Sequence, residues 1–522
     1  MYIQPNSDLY LLNNVPLDDT YDHTLYFASA SAQSSYFLGR RKYSLTGQSY
    51  QRVNKGVARV GILADNLYDV NYIMFRNTAF GTKWFYAFVT KIEYVNNNCS
   101  DVYYEMDVLQ TWHFDYNLDD CFVVRQHTTT DNIGDNINPE PLAIPECVTN
   151  GYHTVTYGQE RFGLSDMAVI IAIVDTNNET SGTLYDGIYG SAQLFVYSDT
   201  DIDGINAKVN EYVQKPDAII GMYMLPEKII AGGIPSDHQI KIGSRARQLS
   251  ATLDTISTSD TLNGYKPKNN KLYTYPYNFI QVDDGLGSTL PLRYEFFSNH
   301  TARVLVEGTI TQPVSIVLRP YNYKNSQSGS SATYPTLNTE MISLGNFPLC
   351  SWNVDSYQAW VAQNTLPIMI GGAKTVGGII GQALTGNIGG AIMTAFEGVT
   401  GPMQQDYQAS IAADQSRGSL SNGGPNVASG KCNFFWARMS VPASVAASID
   451  DFFTRFGYAM NRLTTPNRSA RPHWNYVKTA GCTVTGSVPA DDMRKICGIY
   501  DVGVTWWKNP AEIGNYSLDN SP

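Results

Sequence analysis

The chain is short of charge: Asp, Glu, Lys and Arg make up 16% of its 522 residues, against roughly a quarter in an ordinary soluble protein. So few ions suit a surface that meets other subunits, where every charge would have to be stripped of water. A basic excess is missing as well. The 36 Lys and Arg stand against 47 Asp and Glu, for a formal net charge of −11, which excludes a protein whose task is to grip phosphates. Acidic walls instead suit a surface that nucleic acid slides past. Cysteine is sparse: Cys99, Cys121, Cys147, Cys350, Cys432, Cys482 and Cys497 never fall closer than fifteen residues apart. That spacing excludes a CxxC pair and a disulfide framework, and predicts reduced, mostly buried thiols. The histidines, His23, His113, His127, His153, His238, His300 and His473, never fall at HxxxH or HxH spacing, so no local metal signature exists and no cofactor is expected. No GxSxG motif occurs. In Gly371–Thr375, Ala373 stands where a phosphate loop requires glycine before the lysine. Residues 1–14 lack the basic start and apolar run of a secretion leader, so synthesis in a cytoplasm is expected.

What is present favours strands. Apolar residues make up 43%, aromatics 12%, and there are 35 Tyr, 43 Gly and 24 Pro, a mixture of sheet formers and turn formers. The length suggests three or so modules, and the fold class expected is mainly β, multi-domain, with an α/β insertion. From Tyr72 to His127 the segments YIMF, KWFYAFVTKIEYV and VYYEMDVLQTW, separated by turn residues, read as a β-meander. Val102, Tyr104, Met106 and Val108 alternate with Tyr103, Glu105 and Asp107, which places Glu105 and Asp107 together on a polar strand face. That face is either solvent-exposed or a pair of carboxylates able to do acid–base work. His113 and His127 are expected at strand ends.

The run Ala168–Val174 reads as a fully buried strand, and Ile202, Ile205, Val209, Tyr212 and Val213 recur at helical spacing before a second apolar run, Ala218–Leu225. This order predicts the α/β insertion. Strand signals return in LYTYPYNFIQV, turn at Asp283-Asp284-Gly285 into LPLRYEFF, and continue in ARVLVEGTI and PVSIVLRPY. Near the end, Ile449, Phe452, Phe453, Phe456 and Met460 form a helical stripe with Ser448 or Asp450 as its N-cap. Strands NYVKTAGCTVTG and VGVTWW flank a short helix over Ala490–Cys497.

One segment stands apart, from Pro367 to Pro402. Between Thr375 and Phe396 it runs 22 residues without a charge, about 33 Å as a helix and enough to cross a bilayer core of roughly 30 Å. Six of the 22 are glycines, costing about 1 kcal/mol each against alanine in a helix. The steps Ala373, Gly377, Gly381 and Gly386, Gly390 have the spacing that lets apolar helices pack closely in lipid. The candidate membrane-active residues are Ile368, Ile370, Gly377, Ile379, Ile380, Gly381, Leu384, Gly386, Ile388, Gly390, Ile392, Met393 and Phe396. A hairpin packed inside an assembly, or a flexible linker, accounts for the same composition.

Three blocks, YIMFRNTAFGTKWFYAFVTKIEYVNN (72–97), EMDVLQTWHFD (105–115) and CFVVRQH (121–127), resemble the tail-knob, or distal tail tube, proteins of small short-tailed phages infecting Gram-positive bacteria. FFTRFGYAMNRL (452–463), NYVKTAGCTVTG (475–486) and IGNYSLDN (513–520) extend the resemblance to the other end of the chain. It implies a virion protein made in the host cytoplasm: a homo-hexameric ring with a β-barrel-like tube body at the tail tip. Phage double-stranded DNA would leave through this tube without specific binding. It also implies a long apolar loop that plugs the lumen and then enters the host cytoplasmic membrane as a pore, with the upper collar and lower tail tube proteins as neighbours. The expected division is tube body at 1–130, 270–365 and 431–522, a knob insertion at 131–269, and the hydrophobic loop at 366–430. Glu105 and Asp107 become candidates to face the lumen. An adhesin for cell-wall polymer is the rival reading. A cell-wall hydrolase is the weakest, with Glu105 and Asp107, or the adjacent pairs Asp18-Asp19, Asp119-Asp120 and Asp450-Asp451, as its only acids.

Overall fold

The computed structural model describes residues 6–48, 56–79, 81–154 and 434–522, with shorter stretches between 156 and 350 and the pair Leu420–Ser421. The chain is mainly β and divides into two units. Residues 1–145, 261–274 and 442–522 form the first, and 146–260 with 275–441 form the second. Of the stretch 270–365, residues 270–274 fall in the first unit and the rest in the second.

In the first unit, alternating apolar residues build a six-stranded sheet. Its order is Arg41–Gln48, Ser7–Asn13, Val70–Asn77, Phe85–Asn96, Cys99–Met106 and Val57–Val60. All its neighbours run antiparallel. The expected meander is its centre, and the pairing of Asn96 with Cys99 leaves a two-residue turn at Asn97 and Asn98. The period of two sends Tyr72, Met74, Tyr86 and Phe88 to one face and Ile73, Ala87 and Val102 to the other. The first face packs against residues from a second, five-stranded sheet. That sheet is ordered His23–Leu25, Val504–Trp507, Trp474–Ala480, Cys121–Gln126 and Tyr458–Thr464. Trp474, Trp506 and Trp507 are fully buried in this shared core, where truncating one to alanine costs about 3–5 kcal/mol.

Helices close the core. Ala30–Leu38 is capped by Ser29, whose hydroxyl accepts from Ala32 N, and its buried Phe37 stacks on Tyr72 at 5.2 Å. The helix Ala490–Val502 runs five residues beyond its expected end and buries Ile496 and Tyr500. Ala443–Phe456 begins at Pro442, not at Ser448 or Asp450. Proline tolerates the helix start because its missing N–H has no partner there anyway. The helix stops at Gly457, where φ is +66° and a Cβ would sit 2.4 Å from the Gln126 carbonyl. Met460 therefore belongs to the following strand and not to the helical stripe.

The second unit holds another six-stranded sheet, centred on Met167–Ile173 between Gln193–Ser198 and Ile219–Pro226, both antiparallel to it. Every residue of Met167–Ile173 is buried, as its unbroken apolar run requires. The helix Ile202–Asn210 buries Ile205 and Val209 and ends short of Tyr212. Among the described residues this part is an antiparallel sheet with one short helix, a plainer arrangement than the expected α/β insertion. The unit also holds, among the described residues, two two-stranded ladders and two four-stranded sheets. In one, Val148–Thr154, Phe435–Ser440, Asn278–Asp283 and Thr289–Arg293 lie side by side. In the other the order is Asp254–Ile256, Ala302–Gly308, Ile316–Tyr321 and Ile342–Leu344. The expected strand LYTYPYNFIQV is shorter than its composition suggested, because Asn270–Tyr273 forms a 3-10 turn and only Asn278–Asp283 pairs.

Candidate functional site

The two carboxylates expected on one polar face have opposite fates. The strand ends at Met106, so the alternation breaks before Asp107. Asp107 caps the short helix Val108–Thr111 and accepts from Gln110 N at 3.1 Å and from the Tyr72 hydroxyl at 2.8 Å. It is 1% exposed. Burial pushes its carboxyl up to about 6 against these hydrogen bonds. Buried inside the unit, Asp107 cannot face a lumen, and that expectation is corrected. Glu105 stays exposed and forms an ion pair with Lys495 of the C-terminal helix. The other candidate acids serve local structure. Asp18 accepts from Thr20 N at 3.1 Å, Asp119 from the Thr485 hydroxyl at 3.0 Å, Asp120 from the Thr465 hydroxyl, and Asp451 pairs with Arg455 at 3.0 Å.

Ile368 to Phe396, the candidate membrane-active residues, lie outside the described residues. Among the described residues no helix is long and apolar enough to cross a membrane, and no cluster of His, Cys, Asp and Glu is arranged to hold a metal ion.

The most elaborate polar construction lies where residues 261–274 re-enter the first unit. Asp450, 1% exposed in the middle of its helix, accepts from the Tyr265 hydroxyl at 2.8 Å, Lys268 N at 2.7 Å, Asn269 N at 3.1 Å and the Asn269 amide at 2.8 Å. A carboxylate with four donors is a fully satisfied buried charge. Beside it, the buried Glu140 receives Lys271 and Arg125 as ion pairs and Ala459 N at 2.8 Å. Lys271 also donates to the Asn138 carbonyl at 2.8 Å, and burial lowers its pKa against the attraction of Glu140. Asp131, raised by burial, accepts from the Tyr458 hydroxyl at 2.6 Å and Asn270 N at 3.1 Å. These contacts join three separated chain segments, 131–140, 261–274 and 442–459. The sequence offers Asp450 only as a helix cap or as half of an adjacent acid pair and leaves Glu140 unmarked, because every partner lies more than a hundred residues away or behind an unmarked turn.

The two core histidines are neutral. His127 accepts from Tyr476 N at 2.8 Å through Nδ1 and donates from Nε2 to the Thr454 carbonyl at 3.1 Å. Burial, with Arg471 nearby, pushes it down to about 3. His113 donates from Nε2 to the Phe27 carbonyl at 3.0 Å and is pushed down to about 4, again chiefly by burial. His127 follows the strand Cys121–Gln126 as expected, whereas His113 follows the short helix.

The chain is mainly β, and its buried acids Asp107, Glu140 and Asp450 are taken up by structural partners. Residues 244–521 match the family described as Bacillus phage phi29, Tail knob protein gp9, C-terminal domain, and residues 5–117 match Caudoviral major tail protein N-terminus. The first match spans more than half of the chain, which belongs to the phage tail knob protein gp9 family and is a component of the virion tail. Tail knob protein gp9 of Bacillus phage PZA is 28% identical and that of Bacillus phage phi29 27% identical, each alignment covering 98% of both chains. The structure of the bacteriophage C1 tail knob protein, gp12, superposes with a TM-score of 0.59 at 16% identity, over 98% of this chain and 99% of that one. This last likeness is one of fold.

Proposed function

We propose that six copies of this chain form the distal tail tube and knob, a conduit through which the phage genome leaves. The observation that carries the reading is the uncharged, glycine-rich run Thr375–Phe396 in a tail knob family member. Alone in water such a run is an aggregation hazard. Six copies burying one another in a lumen remove that hazard and close the tube until release. On release the small-residue steps let the segments pack in the host cytoplasmic membrane and surround a pore. In this reading the chain contributes structure and not catalysis.

The first unit serves as the β-barrel-like tube body, with the match of residues 5–117 to a major tail protein N-terminus as support. The second unit, or the part of it at 146–260, widens the tip. Low charge favours a head-to-tail contact that closes a ring with little desolvation. The acidic balance keeps DNA from docking on the wall, Glu105 remaining a candidate for it. Collar and lower tube proteins are the neighbours above.

Electron microscopy of the purified chain tests the assembly: a six-fold ring with an axial channel is expected, and a persistent monomer at high concentration overturns it. Deleting 367–401 tests the loop. The deleted ring should assemble yet fail to release dye from liposomes at low pH. Undiminished leakage assigns the membrane step elsewhere, and loss of the ring makes the segment core.

A further inference from the structure

The first unit half-buries a cation, Arg468, that no carboxylate answers among the described residues. Arg468 forms no ion pair among the described residues, and its Nη1 is out of solvent without a hydrogen-bond partner. Its guanidinium carbon lies 5.2 Å from the Tyr116 ring centre and 5.5 Å from that of Trp506. Trp506 is fully buried, and its indole Nε1 likewise has no partner. On Trp506 also rests His113, 3% exposed, its ring centre 5.4 Å away. Because His113 Nε2 donates to the Phe27 carbonyl, its Nδ1 is the ring's open position, and it too is buried and unpartnered. Three polar atoms on three neighbouring side chains are thus buried without a partner, and burying even one costs about 1–3 kcal/mol.

We propose that Arg468, Trp506 and His113 enclose a site for a small monovalent inorganic anion, chloride in ordinary surroundings, which enters together with one proton. Arg468 Nη1 and Trp506 Nε1 are donors that an anion satisfies at once. A water molecule would accept from both but leave the guanidinium charge uncompensated, the costlier part of the problem. His113 Nδ1 offers a lone pair to the anion while the ring is neutral. It becomes a third donor by taking up a proton, so the site gains one negative and one positive charge together. The other titratable groups around this cluster are Tyr26, Tyr116, Tyr500 and the Cys482 thiol, which burial raises. Burial raises the phenols of Tyr116 and Tyr500 above their ordinary range. His113 is therefore the group that takes the proton.

Bromide is the probe. Full-length protein is unfolded thermally in sodium bromide and in sodium gluconate at matched ionic strength, from pH 8 to pH 6. The expected result is a bromide-specific rise in midpoint, with the half-saturating bromide concentration falling by about tenfold per pH unit while His113 starts neutral. Arg468→Gln should lose the bromide effect. Crystals of the unaltered protein soaked in bromide should show an anomalous peak within hydrogen-bond distance of Arg468 Nη1 and Trp506 Nε1. A water at that point with no anomalous signal overturns the proposal whether or not the variant folds. An equal bromide effect in Arg468→Gln, or one independent of pH, also overturns it.

Discussion

The two units are stabilised by different means. At the centre of the second, Met167–Ile173 is buried along its whole length between two apolar neighbours, and adjacency in one sheet decides the pairing. The first unit is assembled from three stretches of chain and spends buried carboxylates, Glu140 and Asp450, on joining them. An apolar strand is indifferent to which apolar partner covers it. A carboxylate with four directed donors accepts one arrangement only, so the discontinuous unit uses polar groups where the other relies on area.

The sharpest way to break this contrast is to remove one acid. Glu140→Ala leaves Lys271 and Arg125 buried without a counter-charge and should cost about 3–5 kcal/mol, read by guanidinium denaturation with tryptophan fluorescence. Ile170→Ala in the second unit should cost a comparable 2–5 kcal/mol, approximately, through its cavity. The difference lies in the rescue. Ile170→Val should recover most of the stability, whereas Glu140→Gln, which keeps the shape and loses the charge, should recover little. Equal recovery would erase the distinction.

Acid comes next. His127 and His113 have folded pKa values near 3 and 4, below the unfolded value of about 6.5. Their contribution is fully present above pH 6.5 and is lost as pH falls toward those values. Between pH 6.5 and 5 the loss is just under about 2 kcal/mol for each. Asp107 works the other way. Its pKa, raised to about 6, gives stability that is present below the unfolded value and lost as pH rises through 6, so the same acidification returns about 1 kcal/mol. The net effect is a fall of roughly 2 kcal/mol, seen as a lower Tm at pH 5 than at pH 7. His127→Gln should flatten that profile, and an unchanged slope would discard the assignment.

Gly457→Ala should cost about 2 kcal/mol or more, since the left-handed backbone and the Gln126 carbonyl both oppose a methyl group. The smallest change is Glu105→Gln. The Glu105–Lys495 pair is exposed, and its loss should move stability by less than about 1 kcal/mol. A larger effect would mean that Glu105 is not simply a surface residue.

Legibility in the sequence followed the range of the interactions. The meander at 72–106 and the buried runs at 168–174 and 218–225 were readable because burial imposes a period on neighbouring residues. Asp107 was misread by extending that period one step too far. The signal against it was local, an aspartate three residues before the Gln110 amide that it caps. Asp450 left no such trace. Its partners at 265–269 are some 180 residues distant, and nothing in either segment's composition encodes the other. The orphaned Arg468 was invisible for a further reason: an arginine in a polar stretch looks solvated until Tyr116 and Trp506 are brought to it.

The threefold entry of the chain into the first unit also sets a timetable. Pro442 follows Pro145 by 297 residues, which a ribosome adding about 5–20 residues per second needs roughly 15–60 s to make. Throughout that interval Tyr72, Tyr86 and Phe88 have been synthesised while Trp474, Trp506 and Trp507, which complete their core, have not. The nascent amino-terminal sheet must therefore wait with an open apolar side until residues 442–522 emerge and act as its lid.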